Sequence, residues 1–129
     1  MSKNGDAFLR ASKELYLKKI HPFDFNLSST EEYQRIIFLG NQLMQEIGLQ
    51  DFLGYLLEGQ YRVHVWAAYI GLEYGNPDRN EILKISGKKT IINSCIQLVQ
   101  EITQRAPDDP IRRNQEEWLA KMKAKYSME

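Results

Sequence analysis

The sequence predicts an all-α fold, a single compact domain of five or six antiparallel helices over residues 1–129, and three observations carry that reading. First, Tyr33, Ile36, Ile37, Gly40, Leu43, Met44 and Ile47 fall on one stripe at helical spacing. Second, the run QYRVHVWAAYIGLEYG, from Gln60 to Gly75, is apolar on most faces, as a helix is when neighbours surround it. Third, no two segments offer a convincing pair of strands. With 129 residues, 43% of them hydrophobic, the chain can build one core without disulfide or metal staples.

In chain order, Asp6 is placed to cap a first helix running to about Ile20, with Phe8, Ala11, Leu15 and Tyr16 at helical spacing; Pro22 ends it. Phe23, Phe25 and Leu27 then alternate with polar residues, which predicts an extended arm laid over the core. Ser29 and Glu32 have capping-box spacing ahead of the 33–47 stripe, and Gly48 supplies a left-handed stop. Gly40, on that stripe, lets another helix approach closely. Asp51 caps a short apolar turn, Phe52 to Leu57, before Gly59.

The 60–75 run has a rival reading, because Tyr61, Val63 and Val65 alternate with Arg62, His64 and Trp66 as in a strand. The alternation fails at Ala67-Ala68, alanine favours helix, and Gly75-Asn76-Pro77 is the stop expected past a helix end. Asp78 or Asn80 then opens a short helix, Glu81 to Ile85, broken at Ser86-Gly87. Ile92, Cys95, Ile96, Val99 and Ile102 stripe a helix over roughly Lys89 to Gln104. Pro107-Asp108-Asp109-Pro110 punctuates, with Asp109 as N-cap and Pro110 at the first position of a last helix. That helix reaches about Tyr126 and buries Trp118, Leu119 and Met122.

Seventeen basic residues balance seventeen acidic ones, which argues against a dedicated nucleic-acid binder. The balance is uneven: residues 28–78 hold two basic and seven acidic groups, between ends of net +2 and +3. An acidic centre of this kind could steer a basic partner protein. No window reaches the length of apolar residues a membrane span needs, and the first residues lack the pattern of a secretory signal, so the expected location is the cytoplasm.

Chemistry is sparsely signalled. Only His21, His64 and Cys95 are nitrogen or sulfur metal ligands, and no two share a helical turn, so no metal or other cofactor is expected. Ile85-Ser86-Gly87-Lys88-Lys89-Thr90 precedes a helix, but it lacks the first glycine of a phosphate loop and the strand before it. Cys95 faces an apolar stripe, where a thiol is poorly reactive. Lys121, Lys123 and Lys125 with Arg112 and Arg113 are diluted by Asp108, Asp109, Glu116 and Glu117 and read as a solvated face. The polar cluster that remains is Glu58, Tyr61, Arg62 and His64, with Glu73 further along. A helix beginning by Glu58 places Glu58 and Arg62 on one face, and Tyr and Arg are over-represented in binding hot spots.

Within that cluster, Tyr61-Arg62-Val63-His64-Val65-Trp66-Ala67-Ala68 resembles the second helix of a HEAT-type repeat. Val63 and Ala67-Ala68 match the pattern, His64 stands where the family usually has Arg, and Gly71-Leu72 reverses its Leu-Gly pair. The Trp-Ala-Ala stretch is also similar to that of small uncharacterised bacterial helical domains of the immunity-like type. The resemblance implies stacked helical hairpins that bind a partner on an exposed face, and it transfers no catalytic residue. The expected function is therefore a non-catalytic interaction module, immunity-like or an adaptor, with Glu58, Tyr61, Arg62, His64 and Glu73 as its contacts. The alternative is a small enzyme or ligand-binding helical bundle that uses Glu58, Arg62 and His64 in a pocket between helices.

Overall fold

One hydrophobic cluster joins every helix of the molecule but the shortest stretches between them, and the 60–75 segment runs through its middle. A computed structural model describes residues 3–106 and 109–126. Its helices are α1 (Lys3–Leu17), α2 (Glu31–Ile47), α3 (Leu49–Phe52), α4 (Val63–Tyr74), α5 (Ile91–Arg105) and α6 (Pro110–Lys125). Short 3-10 turns occur at Phe25–Leu27, Leu53–Leu57 and Gln60–Arg62. The fold is all-α, and among the described residues the only β-type pairing is an isolated bridge between Ile82 and Thr90. No described helix is long and apolar enough to cross a membrane.

Helix α4 is buried without interruption from Val65 to Leu72. Trp66 is 1% exposed and packs edge-on to Tyr33 of α2, with ring centroids 5.1 Å apart. Gly40 of α2 makes the close approach expected of it: a Cβ there would stand 2.7 Å from Cδ1 of Ile70. On the other side Tyr69 meets Phe23 and Trp118 at 5.3 and 5.8 Å between centroids. Burying aromatic rings of this size contributes about 2–3 kcal/mol apiece from apolar area, and their edge-on geometry adds to it.

Several boundaries differ from expectation for local reasons. Helix α1 begins before Asp6 and ends at Leu17, five residues short of Pro22. Lys19 takes the left-handed conformation (φ 61°), and the amide of Ile20 donates to the carbonyl of Leu15 at 2.9 Å. The amide of Lys19 donates to Tyr16 at 3.1 Å, which completes a Schellman stop with lysine where glycine is usual. The 23–27 arm is a series of turns rather than an extended strand; Phe23 is fully buried while Phe25 stays exposed. Thr30, not Ser29, caps α2, its hydroxyl accepting from the amide of Tyr33 at 3.4 Å. Gly48 does adopt positive φ (87°), but α3 follows it at once, so Asp51 lies inside that helix instead of capping it.

At the far end of α4, Gly75 is right-handed, and the residue that reverses the chain is Asn76 (φ 46°). The helix expected over 81–85 is absent: the amides of Leu83 and Ile91 donate to the carbonyls of Lys89 and Glu81, both at 2.9 Å, and close a hairpin-like loop. Gln50 holds the loop from outside, donating to Ile82 and accepting from the amide of Lys84. Thr90 and Asp109 cap α5 and α6, accepting from Asn93 and Arg112 at 3.1 and 2.9 Å, the second with Pro110 at the first helical position as expected. The expectation for Pro107-Asp108 falls outside the described residues.

A cleft beside the first turn of the central helix

The turn leading into α4 is unlike any other among the described residues. Tyr61 and Arg62 are consecutive and both left-handed, at φ 54° and 59°, a conformation that costs a side-chain-bearing residue about 1–2 kcal/mol. Long-range contacts hold it there. The hydroxyl of Ser12, fully buried on α1, donates to the carbonyl of Tyr61 at 2.8 Å. The Tyr61 ring stands edge-on to Tyr16 at 5.5 Å, and the Arg62 guanidinium lies over the Tyr16 ring, 4.8 Å from its centroid. Glu58 closes the same turn: its carboxylate accepts from the amide of Gln60 at 3.1 Å and its carbonyl from the amide of His64 at 2.9 Å.

The helix therefore starts at Val63, not by Glu58, and the shared Glu58–Arg62 helical face does not form. Glu58, Tyr61, Arg62 and His64 still gather at one turn, but they look different ways. Arg62 and His64 border a cleft of about 500 Å³ between this turn, the His21-Pro22 corner, the last turn of α5 and the first turns of α6. Tyr61 and Glu58 line a separate, smaller hollow against α1. Glu73 is at the opposite end of α4, where its carboxylate accepts from the indole N–H of Trp118 at 2.9 Å and pairs with Lys121 at 3.4 Å.

Val65, Ile102 and Ile111 give the cleft an apolar wall, while His21, Arg105, Asp109 and the buried Gln115 bring polar groups to it. No motif pointed to these four. Asp109 was legible as a helix cap and a surface carboxylate, and nothing along the chain tells that His21 and Arg105 line one cleft with Arg62. Gln115 is held by the Thr103 hydroxyl at 3.1 Å, and Asp109 by its capping bond.

Of the two arginines that line the cleft, Arg105 is exposed and Arg62 is not. Arg62 is half-buried, and among the described residues no carboxylate pairs with it. Burial pulls its pKa below the ordinary value, yet a guanidinium keeps its charge at any physiological pH. Burial also holds His64 below its ordinary 6.5, with Glu58 acting in the other direction. His21 is lowered by burial first and by Arg62 second, against Asp24 and Asp109. Both imidazoles are thus neutral at pH 7. The Nδ1 of His64 is buried with no hydrogen-bond partner among the described residues, an arrangement that costs about 1–3 kcal/mol unless something fills it.

The described lining holds no Ser, Thr, Cys, Tyr or Lys nucleophile. Cys95 lies elsewhere, fully buried, with burial pushing its thiol up to about 12. What this arrangement does well is hold a negatively charged group: a planar guanidinium for a carboxylate or phosphate, a second arginine nearby, and neutral imidazoles for the remaining hydrogen bonds. No family model, curated protein or solved structure matches the chain.

Proposed function

We propose that this protein is a non-catalytic ligand-binding helical domain, and that its cleft takes a small organic acid with Arg62 as the anchor. The observation that carries the reading is Arg62, half-buried beside a largely apolar cleft on strained backbone and, among the described residues, without a carboxylate partner. Strained residues held by surrounding structure concentrate at binding sites, and a cleft of 300–1,000 Å³ with a few convergent polar groups has the usual size of a small-molecule site. Of the expected trio, Arg62 and His64 contribute, while Glu58 acts on the backbone of the turn and on the charge of His64.

Calorimetric titration tests this with acetate, succinate and benzoate against their uncharged amides. The acids should bind and the amides should not, and Arg62→Gln should weaken binding roughly ten- to a hundred-fold, the loss expected for a charged hydrogen-bonded pair. Equal binding of acid and amide, or of native protein and Arg62→Gln, would sink the proposal, as would the failure of all three acids. The interaction-module reading draws its support from another face, where Leu57 is 80% exposed.

A further inference from the structure

Beside Arg62, the cleft holds a second charge that the protein leaves without an opposite. Asp109 is the one carboxylate in the described lining, and it is half-buried. Its Oδ1 accepts the capping bond from the amide of Arg112 at 2.9 Å. Its Oδ2 has no donor among the described residues, and none of their cations lies within ion-pair distance of it. Asparagine caps a helix as well as aspartate does, so the start of α6 does not by itself require the charge.

Arg62 and Asp109 come from distant parts of the chain, the turn before α4 and the cap of α6, yet they border the same space. His21 registers both: Arg62 lowers its pKa and Asp109 raises it. Neither Arg62 nor Arg105 closes on Asp109 as an ion pair among the described residues. A partly buried guanidinium and a partly buried carboxylate, each unpaired, carry a cost that a ligand of the opposite charge removes. Val65, Ile102 and Ile111 supply apolar wall to the same space. Gln115, 5% exposed, is fixed by Thr103 at one end of its amide, and the other end has no partner among the described residues.

We infer that the ligand of the cleft is a free amino acid with a bulky apolar side chain: its carboxylate meets Arg62, its ammonium meets Asp109, and its side chain lies on Val65, Ile102 and Ile111. The inference rests on the organic-acid reading and adds a second charge and an apolar body to it. A simple acid satisfies Arg62 but leaves Asp109 bare, and it brings negative charge into the space that Asp109 borders. A dicarboxylate adds to that repulsion. A zwitterion offers each of the two groups its opposite, and a cleft of about 500 Å³ has room for a side chain the size of a benzyl group. The end residue of a peptide keeps only one of the two charges, so a peptide terminus fits less well than the free amino acid.

Calorimetric titration of the intact protein at pH 7 tests this with three ligands of one shape. They are L-phenylalanine, 3-phenylpropanoate, which lacks the ammonium, and phenylalaninamide, which lacks the carboxylate and stands for a peptide N-terminus. L-Phenylalanine should bind at least about tenfold tighter than either of the others, the gain expected of a charge-assisted pair. Asp109→Asn keeps the cap, so the far-UV circular dichroism spectrum should not change, while the affinities for phenylalanine and 3-phenylpropanoate should come within about threefold of each other. Binding of 3-phenylpropanoate with no gain for phenylalanine overturns the inference and leaves the organic-acid reading standing. A preference for phenylalanine that survives Asp109→Asn overturns it as well. Phenylalaninamide binding as tightly as phenylalanine overturns both readings, because the carboxylate is then idle. If none of the three binds, the inference falls, and the acetate, succinate and benzoate titrations decide the organic-acid reading.

Discussion

The two ends of α4 stand in sharp contrast. At its C-terminal end the exposed carbonyls of a helix are taken up by the end of α6 and the residue after it: the Tyr126 hydroxyl donates to Leu72 at 2.7 Å, and Lys125 donates to Leu72 and Glu73 at 3.3 Å. Glu73 itself is spent on Trp118 and Lys121. At its N-terminal end no side chain caps the helix and two residues are strained; among the described residues an arginine lacks a carboxylate and an imidazole nitrogen lacks a partner. One end is closed by the protein's own side chains and the other is left incomplete. Two ends of one helix, embedded in the same core, thus differ in how far their polar groups are satisfied, although both carry polar and charged side chains.

Breaking the closed end should have the larger effect on stability. Trp118→Ala removes a ring packed on Phe23 and Tyr69 and leaves Glu73 with Lys121 alone, so urea unfolding should register a loss of about 3–5 kcal/mol. Glu73→Ala leaves that ring in place but its indole N–H unpaired, and about 1–3 kcal/mol should be lost by the same measurement. At the open end, Arg62→Ala should abolish organic-acid binding at a small cost in stability. Arg62→Gly should abolish it too yet be about 1 kcal/mol more stable than Arg62→Ala, because glycine accepts positive φ without penalty. If alanine and glycine are equally stable at 62, the strain assigned to this turn is wrong.

The smallest effect concerns pH. Folding holds His64 and His21 below 6.5, so as pH falls below that value the unfolded chain takes up protons that the folded chain refuses. Their contribution is fully present above about pH 6.5 and is lost as pH drops through the lowered folded values. The urea midpoint should therefore decline from about pH 7 to about pH 5, and His64→Gln should flatten part of the slope. An acid in the cleft should favour the charged imidazoles, so its affinity should rise over the same interval while stability falls.

Much of the scaffold was legible in the sequence because burial has a period. The α2 stripe, the α5 stripe, the Gly40 contact and the Asp109-Pro110 start all depend on residues near one another in the chain. The open end of α4 was legible only in part. Tyr and Arg carry no sign of positive φ, as Gly or Asn would, and Ser12, which helps to hold them, is 49 residues from Tyr61. The 81–85 stretch escapes a sequence reading for a similar reason: its backbone hydrogen-bond partners are Lys89 and Ile91, and its clamp is Gln50, none of which a local propensity can register. His21, Arg105 and Asp109 reach the cleft by tertiary packing alone.

The uninterrupted burial of residues 65–72 also has a consequence for how the molecule comes into being. Helix α4 is wrapped by α1, α2 and the 53–57 turn, which are made before it, and by α5 and α6, which are made after it. As the chain leaves the ribosome, the most apolar helix emerges with only half of its covering in existence. Until Trp118 and Tyr126 follow, Tyr69 and the Leu72 carbonyl face water, and the nascent chain is at its most prone to wrong association. Translation of α5 and α6 is thus the step that finishes the cover of α4, and a stop codon between α4 and α6 would leave Tyr69 without Trp118 and the Leu72 carbonyl without Tyr126.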